Sequence, residues 1–118
     1  MIALKELNYD DIGYLRENYP INLDLDMECP IFTYVFFDEE NIVGYSQLQV
    51  VKNEIKLSDF QCDKRSENLR LFYLKATGLK AFNLGYQYIL NENNIYPGMA
   101  EKIILDELFK GNCNDSRA

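Results

Sequence analysis

Residues Glu54 to Leu90 read EIKLSDFQCDKRSENLRLFYLKATGLKAFNLGYQYIL, and this stretch decides the fold class. Its first nine residues alternate as a strand does, yet Ile55 and Leu57 share one parity while Phe60 and Cys62 take the other. Strand side chains repeat every two residues, so the phase slip near Ser58 and Asp59 marks either one inserted residue, a β-bulge, or a strand buried on both faces. After the polar loop Asp63 to Asn68, apolar side chains recur at helical spacing: Leu69, Phe72, Tyr73, Ala76, Leu79 and Phe82. Leu71 and Leu74 widen the stripe, which predicts a central helix packed on a sheet and closed by Gly85. Tyr86 to Leu90 then reads as a buried strand. Strand, helix, strand implies that the two strands pair in parallel across a right-handed crossover.

Upstream, Ile2 to Leu7 reads as a strand, and Asp10 and Asp11 are the expected N-caps of a helix that runs to about Tyr19 and stops at Pro20. Ile21 to Ile31 has no sustained period. Thr33 to Phe37 and Ile42 to Val51 form an antiparallel hairpin around the turn-like Asp38 to Asn41, and Lys52 and Asn53 make the next turn. Downstream, Asn91 to Asn94 form a loop. Pro97 suits a first helical turn, so Met99, Ala100, Ile103, Ile104 and Leu108 predict a last helix ending before Gly111. The expected domain is therefore residues 1–111, followed by a polar tail, 112–118.

Composition removes many function classes. The chain has 118 residues, 47% of them hydrophobic, enough for one domain but not two. A net charge of −7 opposes association with nucleic acid or an anionic membrane surface. There is no histidine, which excludes Ser-His-Asp and Cys-His catalysis and His-ligated zinc. Cys29, Cys62 and Cys113 are widely spaced, with no CxxC pair, so neither a disulfide framework nor a metal site is expected. The first residues include Lys5, Glu6, Asp10 and Asp11 where a signal peptide would be apolar, and a cytoplasmic location is expected.

The predicted order of strand, helix, antiparallel meander, βαβ crossover and last helix resembles the GNAT N-acetyltransferase superfamily. A more specific likeness lies between Phe60 and Leu74, where the family places an apolar residue, then R/Q-x-x-G-x-G/A and an apolar helix. Arg65 matches the first position of that motif. Asn68 and Arg70 stand where the glycines would be. Ile42, Val43 and Gly44 also look like the family's opening of its third strand. The resemblance implies an α/β (α+β) mixed sheet and acetyl-CoA as cofactor, its pyrophosphate held by backbone N–H groups at the helix N-terminus. It assigns cofactor contacts to Phe60, Cys62, Arg65, Asn68, Leu69 and Arg70. Arg70 would either block the amides or pair with phosphate itself.

The family's general acid is a tyrosine on the last helix, within A-x-x-L-Y-x-x-x-G-F. Here Ile104 stands at that position and Leu108 at the glycine, so the role falls to Tyr96 or is vacant. Glu54 and Asp59, both on the slipped strand, are the candidate general bases for an amine; otherwise Glu54 is a turn residue facing water and Asp59 fills the bulge's hydrogen bonds. Asp24, Asp26 and Glu28 form an acidic run that would attract a cationic amine or simply be a solvated loop. Only seven residues follow Gly111, so the C-terminal hairpin that the resemblance calls for is expected to be missing. The edge of the Tyr86 to Leu90 strand is thus expected to lack a partner in the chain, and a homodimer or another protein is expected to cover it, near the Phe109 end of the last helix. Two functions are consistent with these features: an acyl-CoA-dependent N-acyltransferase whose activity is weak or lost, and a non-catalytic GNAT-derived protein-interaction module.

Overall fold

The computed structural model describes residues 1–23, 28–63 and 66–110. Along the chain they form β1 (Ile2–Glu6), a 3-10 turn (Tyr9–Asp11), α1 (Ile12–Asn18), β2 (Ile31–Asp38), β3 (Asn41–Val51) and β4 (Glu54–Cys62). α2 (Glu67–Asn83), β5 (Tyr88–Leu90), β6 (Lys102–Ile104) and α3 (Leu105–Lys110) follow. The fold is α+β: one six-stranded sheet in the order β1-β2-β3-β4-β5-β6, antiparallel except where β4 meets β5. Among the described residues no helix is long and apolar enough to cross a membrane.

β2 to β4 are hairpin-connected because each returns through a two-residue turn too short for a crossover, whereas β1 reaches its antiparallel place beside β2 by way of α1. Glu39 and Lys52 take positive φ values of 60° and 59° in those turns. The expected phase slip in β4 is a bulge. Leu57 faces Leu48 and Asp59 faces Gln47, so Ser58 is the extra residue, and its hydroxyl donates to the Gln47 carbonyl over 3.2 Å. The insertion puts Ile55, Leu57 and Phe60 on one buried face despite their mismatched parity.

Each side of the sheet has its own cluster. α1 covers the first side through Leu15, against Val35 and Tyr45. α2 and α3 cover the second, where Phe36 stacks on Tyr73 at 4.3 Å between centroids and tilts against Phe60 at 5.1 Å. A buried polar contact joins helix to sheet there: the Ser46 hydroxyl donates to Thr77 Oγ1 over 2.7 Å, and Thr77 donates to the Tyr73 carbonyl over 2.8 Å.

Several sequence expectations change. The 3-10 turn before α1 is capped by Asn8, in extended conformation, which accepts from the Asp10 N–H two residues on, while Asp11, at the N-cap position of α1, makes no side-chain capping bond. The face of α2 that packs on the sheet is Tyr73, Leu74, Thr77, Gly78 and Ala81, whereas Phe72, Leu79 and Phe82 are exposed. The expected last helix is instead β6 followed by the short α3. A helix beginning at Pro97 would have left β5's edge groups unpaired, while Lys102 to Ile104 satisfies them with Tyr88 facing Ile104, Ile89 facing Ile103 and Leu90 facing Lys102. The edge for which a homodimer or another protein was expected is therefore occupied by the chain's own β6.

Candidate functional site

β4 and β5 share one register pair, Lys56 with Leu90. Beyond it β4 runs on to Cys62, but the chain after Leu90 leaves as the connection to β6. Two strands that part in this way open a wedge. Its floor is Phe60, whose face of β4 belongs to the α2 side, and α2 begins at its open end, five residues after Cys62.

Tyr96 fills the wedge. It is 9% exposed, its ring meets Phe60 edge-on at 5.0 Å, and the Arg70 guanidinium lies 5.5 Å from its centroid. Burial raises the Tyr96 phenol's pKa, and the positive charge of Arg70 opposes that rise. Arg70 Nε is buried with no hydrogen-bond partner. Tyr96 is held in place by Asn91, which is 1% exposed. The Asn91 carbonyl oxygen accepts from the Tyr96 N–H over 3.0 Å, and its amide donates to the Tyr96 carbonyl over 2.9 Å. The same amide reaches the carbonyls of Met99 and Ala100 at 3.5 and 3.4 Å.

At the N-terminus of α2, Ser66 is the cap: its hydroxyl accepts from the Leu69 N–H over 3.2 Å, and its carbonyl accepts from the N–H groups of Leu69 and Arg70, each over 3.1 Å. That leaves the Glu67 and Asn68 amides as the helix's outward donors, beside the Glu67 carboxylate.

Phe60, Arg70 and Tyr96 are thus brought together from the residues singled out in the sequence. Cys62 and Leu69 are half-buried against the same core, and Asn68 is exposed. Arg65, Asp24 and Asp26 lie outside the described residues. Glu54 does not join the cluster: it sits at the opposite end of β4, roughly 25 Å of strand from Cys62, and accepts from the exposed Tyr88 hydroxyl over 3.0 Å. Asp59 points to the other face, toward α1. There it accepts from the Tyr45 hydroxyl, from the Phe60 N–H over 2.9 Å and from Gln61 over 3.4 Å.

Tyr45 and Tyr19 meet edge-on at 5.5 Å, and Tyr19 in turn donates to Asp63 over 2.8 Å. Burial first, then the Asp59 carboxylate, raises the Tyr45 pKa; burial and Asp63 do the same for Tyr19. Both phenols keep their protons in the folded state after an unfolded chain would lose them, at a pH of about 10. Below that pH the shifts contribute nothing, and above it the folded state binds more protons, so stability falls as pH rises. Thermal melts should therefore be flat in this respect below about pH 10 and decline above it. In Tyr45→Phe the alkaline decline should be shallower; an unchanged slope would show that Tyr45 does not titrate this way.

Sequence reasoning missed Asn91, Tyr45 and Ser66. For Ser66 a signal existed, a serine directly before a helical pattern. Asn91 looked like any loop asparagine, and Tyr45 like any strand aromatic. Another concavity, a cavity of about 290 Å3, opens where β1 parts from β2, with Glu6, Leu7, Asn22 and Thr33 in its wall. None of the sequence-predicted site residues lines it. No family model, curated protein or solved structure matches the chain.

Proposed function

We propose that this chain is a GNAT-like scaffold whose acyl-CoA cleft is closed by its own Tyr96, so that N-acyltransferase activity is weak or lost. The single observation that carries the reading is the wedge between β4 and β5, with Tyr96 packed between Phe60 and Arg70 inside it. Beyond Lys56, the β4 edge facing that wedge is free of β5, a row of backbone donors and acceptors suited to an extended amide ligand. Arg70 and the first amides of α2 stand at its end, suited to a phosphate. The antiparallel meander, the bulge at Ser58 and the parallel crossover through α2 support the same resemblance. Closure is supported by the Ser66 cap on the Leu69 amide and by the tyrosine's burial. The candidate bases are also engaged elsewhere, Asp59 by Tyr45 on the far face and Glu54 by Tyr88 at the far end.

Calorimetric titration with acetyl-CoA and with free CoA tests this. The native chain should bind with a dissociation constant of about 1 mM or weaker. Tyr96→Ala should bind at least about tenfold more tightly, and adding Arg70→Ala to it should abolish the gain. Micromolar binding by the native chain, or a Tyr96→Ala variant that is folded yet binds no better, would overturn the proposal. Tyr96→Leu, which keeps apolar volume beside Phe60, serves if alanine unfolds the loop.

A further inference from the structure

Apart from Met1, Ile2 and Leu84, the large apolar side chains left exposed among the described residues fall into two patches. One is on α2. Phe72, Leu79 and Phe82 are 43%, 49% and 49% exposed, and with Lys75 they follow the 3-4-3 spacing of a helix-packing seam. The other is on the 3-10 turn and α1, where Tyr9 and Tyr14 are 85% and 47% exposed. Glu17 lies one turn from Tyr14, and the exposed Gly13 has nothing within 4 Å of an added Cβ, so the surface beside them is open.

These patches carry opposite charge. From Tyr9 to Asn18 the acids are Asp10, Asp11 and Glu17, against Arg16 alone. α2 carries Arg70, Lys75 and Lys80 against Glu67 alone. They also lie on opposite faces of the sheet, since Val35 packs under α1 and its neighbour Phe36 under α2. Pairing two α2 stripes would set lysine near lysine with no acid in the seam. Pairing α2 with the α1 surface sets Lys75 among Asp10 and Glu17, with apolar groups on both sides.

We propose that the α2 stripe of one copy docks on the Tyr9, Gly13, Tyr14 and Glu17 surface of a second copy, head to tail. Because each copy presents both patches, the contact is heterologous and propagates beyond a dimer or closes as a ring. The three apolar groups of the stripe offer roughly 300 Å2, below the roughly 800 Å2 per partner of a stable complex, so the contact belongs to the weak class.

Sedimentation equilibrium of the full chain, from about 10 μM to about 1 mM, tests it. The average mass should rise past that of a dimer and fall back as salt screens the Lys75 contacts. Leu79→Glu disables one patch and Tyr14→Lys the other; both positions are exposed, so the fold should persist, as circular dichroism will show. Each variant alone should be monomeric, and their mixture should form a one-to-one dimer and nothing larger, because one intact patch of each kind remains. Lys75→Glu should raise the concentration needed for association about tenfold. A native chain that stays monomeric at the highest concentration, a plateau at dimer, or a mixture that does not pair would each overturn the proposal.

Discussion

Gly44→Ala is expected to cost on the order of 4 kcal/mol of folding stability, measured by urea unfolding. Gly44 faces Cys62 across the β3–β4 ladder, beside the register shift that leaves Val43 as an extra residue. A Cβ there would overlap the Gln61 carbonyl oxygen and stand 2.9 Å from Cys62 Cα and 3.0 Å from the Gln61 carbonyl carbon. All three obstacles are backbone, so no rotamer change relieves them, and the ladder must part where β4 carries Phe60 and Cys62. A domain of this size has about 5–15 kcal/mol in total, so the variant should unfold at low urea. Gly13→Ala is the control: with open space around its Cβ and a helical position, it should gain about 0.5–1 kcal/mol. A Gly44→Ala loss below about 1 kcal/mol would mean that β3 and β4 can separate freely at this point.

Asn91→Ala should have the next largest effect, about 3 kcal/mol. One buried amide satisfies both backbone groups of Tyr96 and contributes to two further carbonyls, so alanine strands several polar groups away from water. The expected readouts are a lower urea midpoint and faster hydrogen exchange at the Tyr96 amide. Asn91→Asp should not rescue it: a carboxylate can still accept from the Tyr96 N–H, but it donates nothing to the carbonyls and faces them with negative charge. Exchange at Tyr96 no faster than in the native chain would show that the loop is held by other contacts.

The sequence by itself determined the elements whose signals are local. Alternation and turn residues located β1 to β4, helical spacing and Gly85 located α2, and the mismatched parity of Ile55 and Phe60 located a phase slip near Ser58 and Asp59, which strand pairing then made a bulge. It also brought Phe60, Arg70 and Tyr96 forward as candidates, though for reasons of resemblance. What it could not determine was every choice that depends on a distant neighbour. Ala100, Ile104 and Leu108 satisfy a helical period equally well, and only β5's unpaired edge makes Lys102 to Ile104 a strand. The apolar residues of α2 outnumber the positions its sheet can cover, so which face is buried was settled by packing: Gly78 lets Leu105 and Leu108 approach closely, and Phe72, Leu79 and Phe82 are left outside. The wedge itself was equally illegible. That β4 and β5 pair once and part, that Tyr96 enters between them, and that Asp59 faces Tyr45 on the opposite side are facts of three-dimensional register, in which residues tens of positions apart become neighbours through hydrogen bonds that no local pattern encodes.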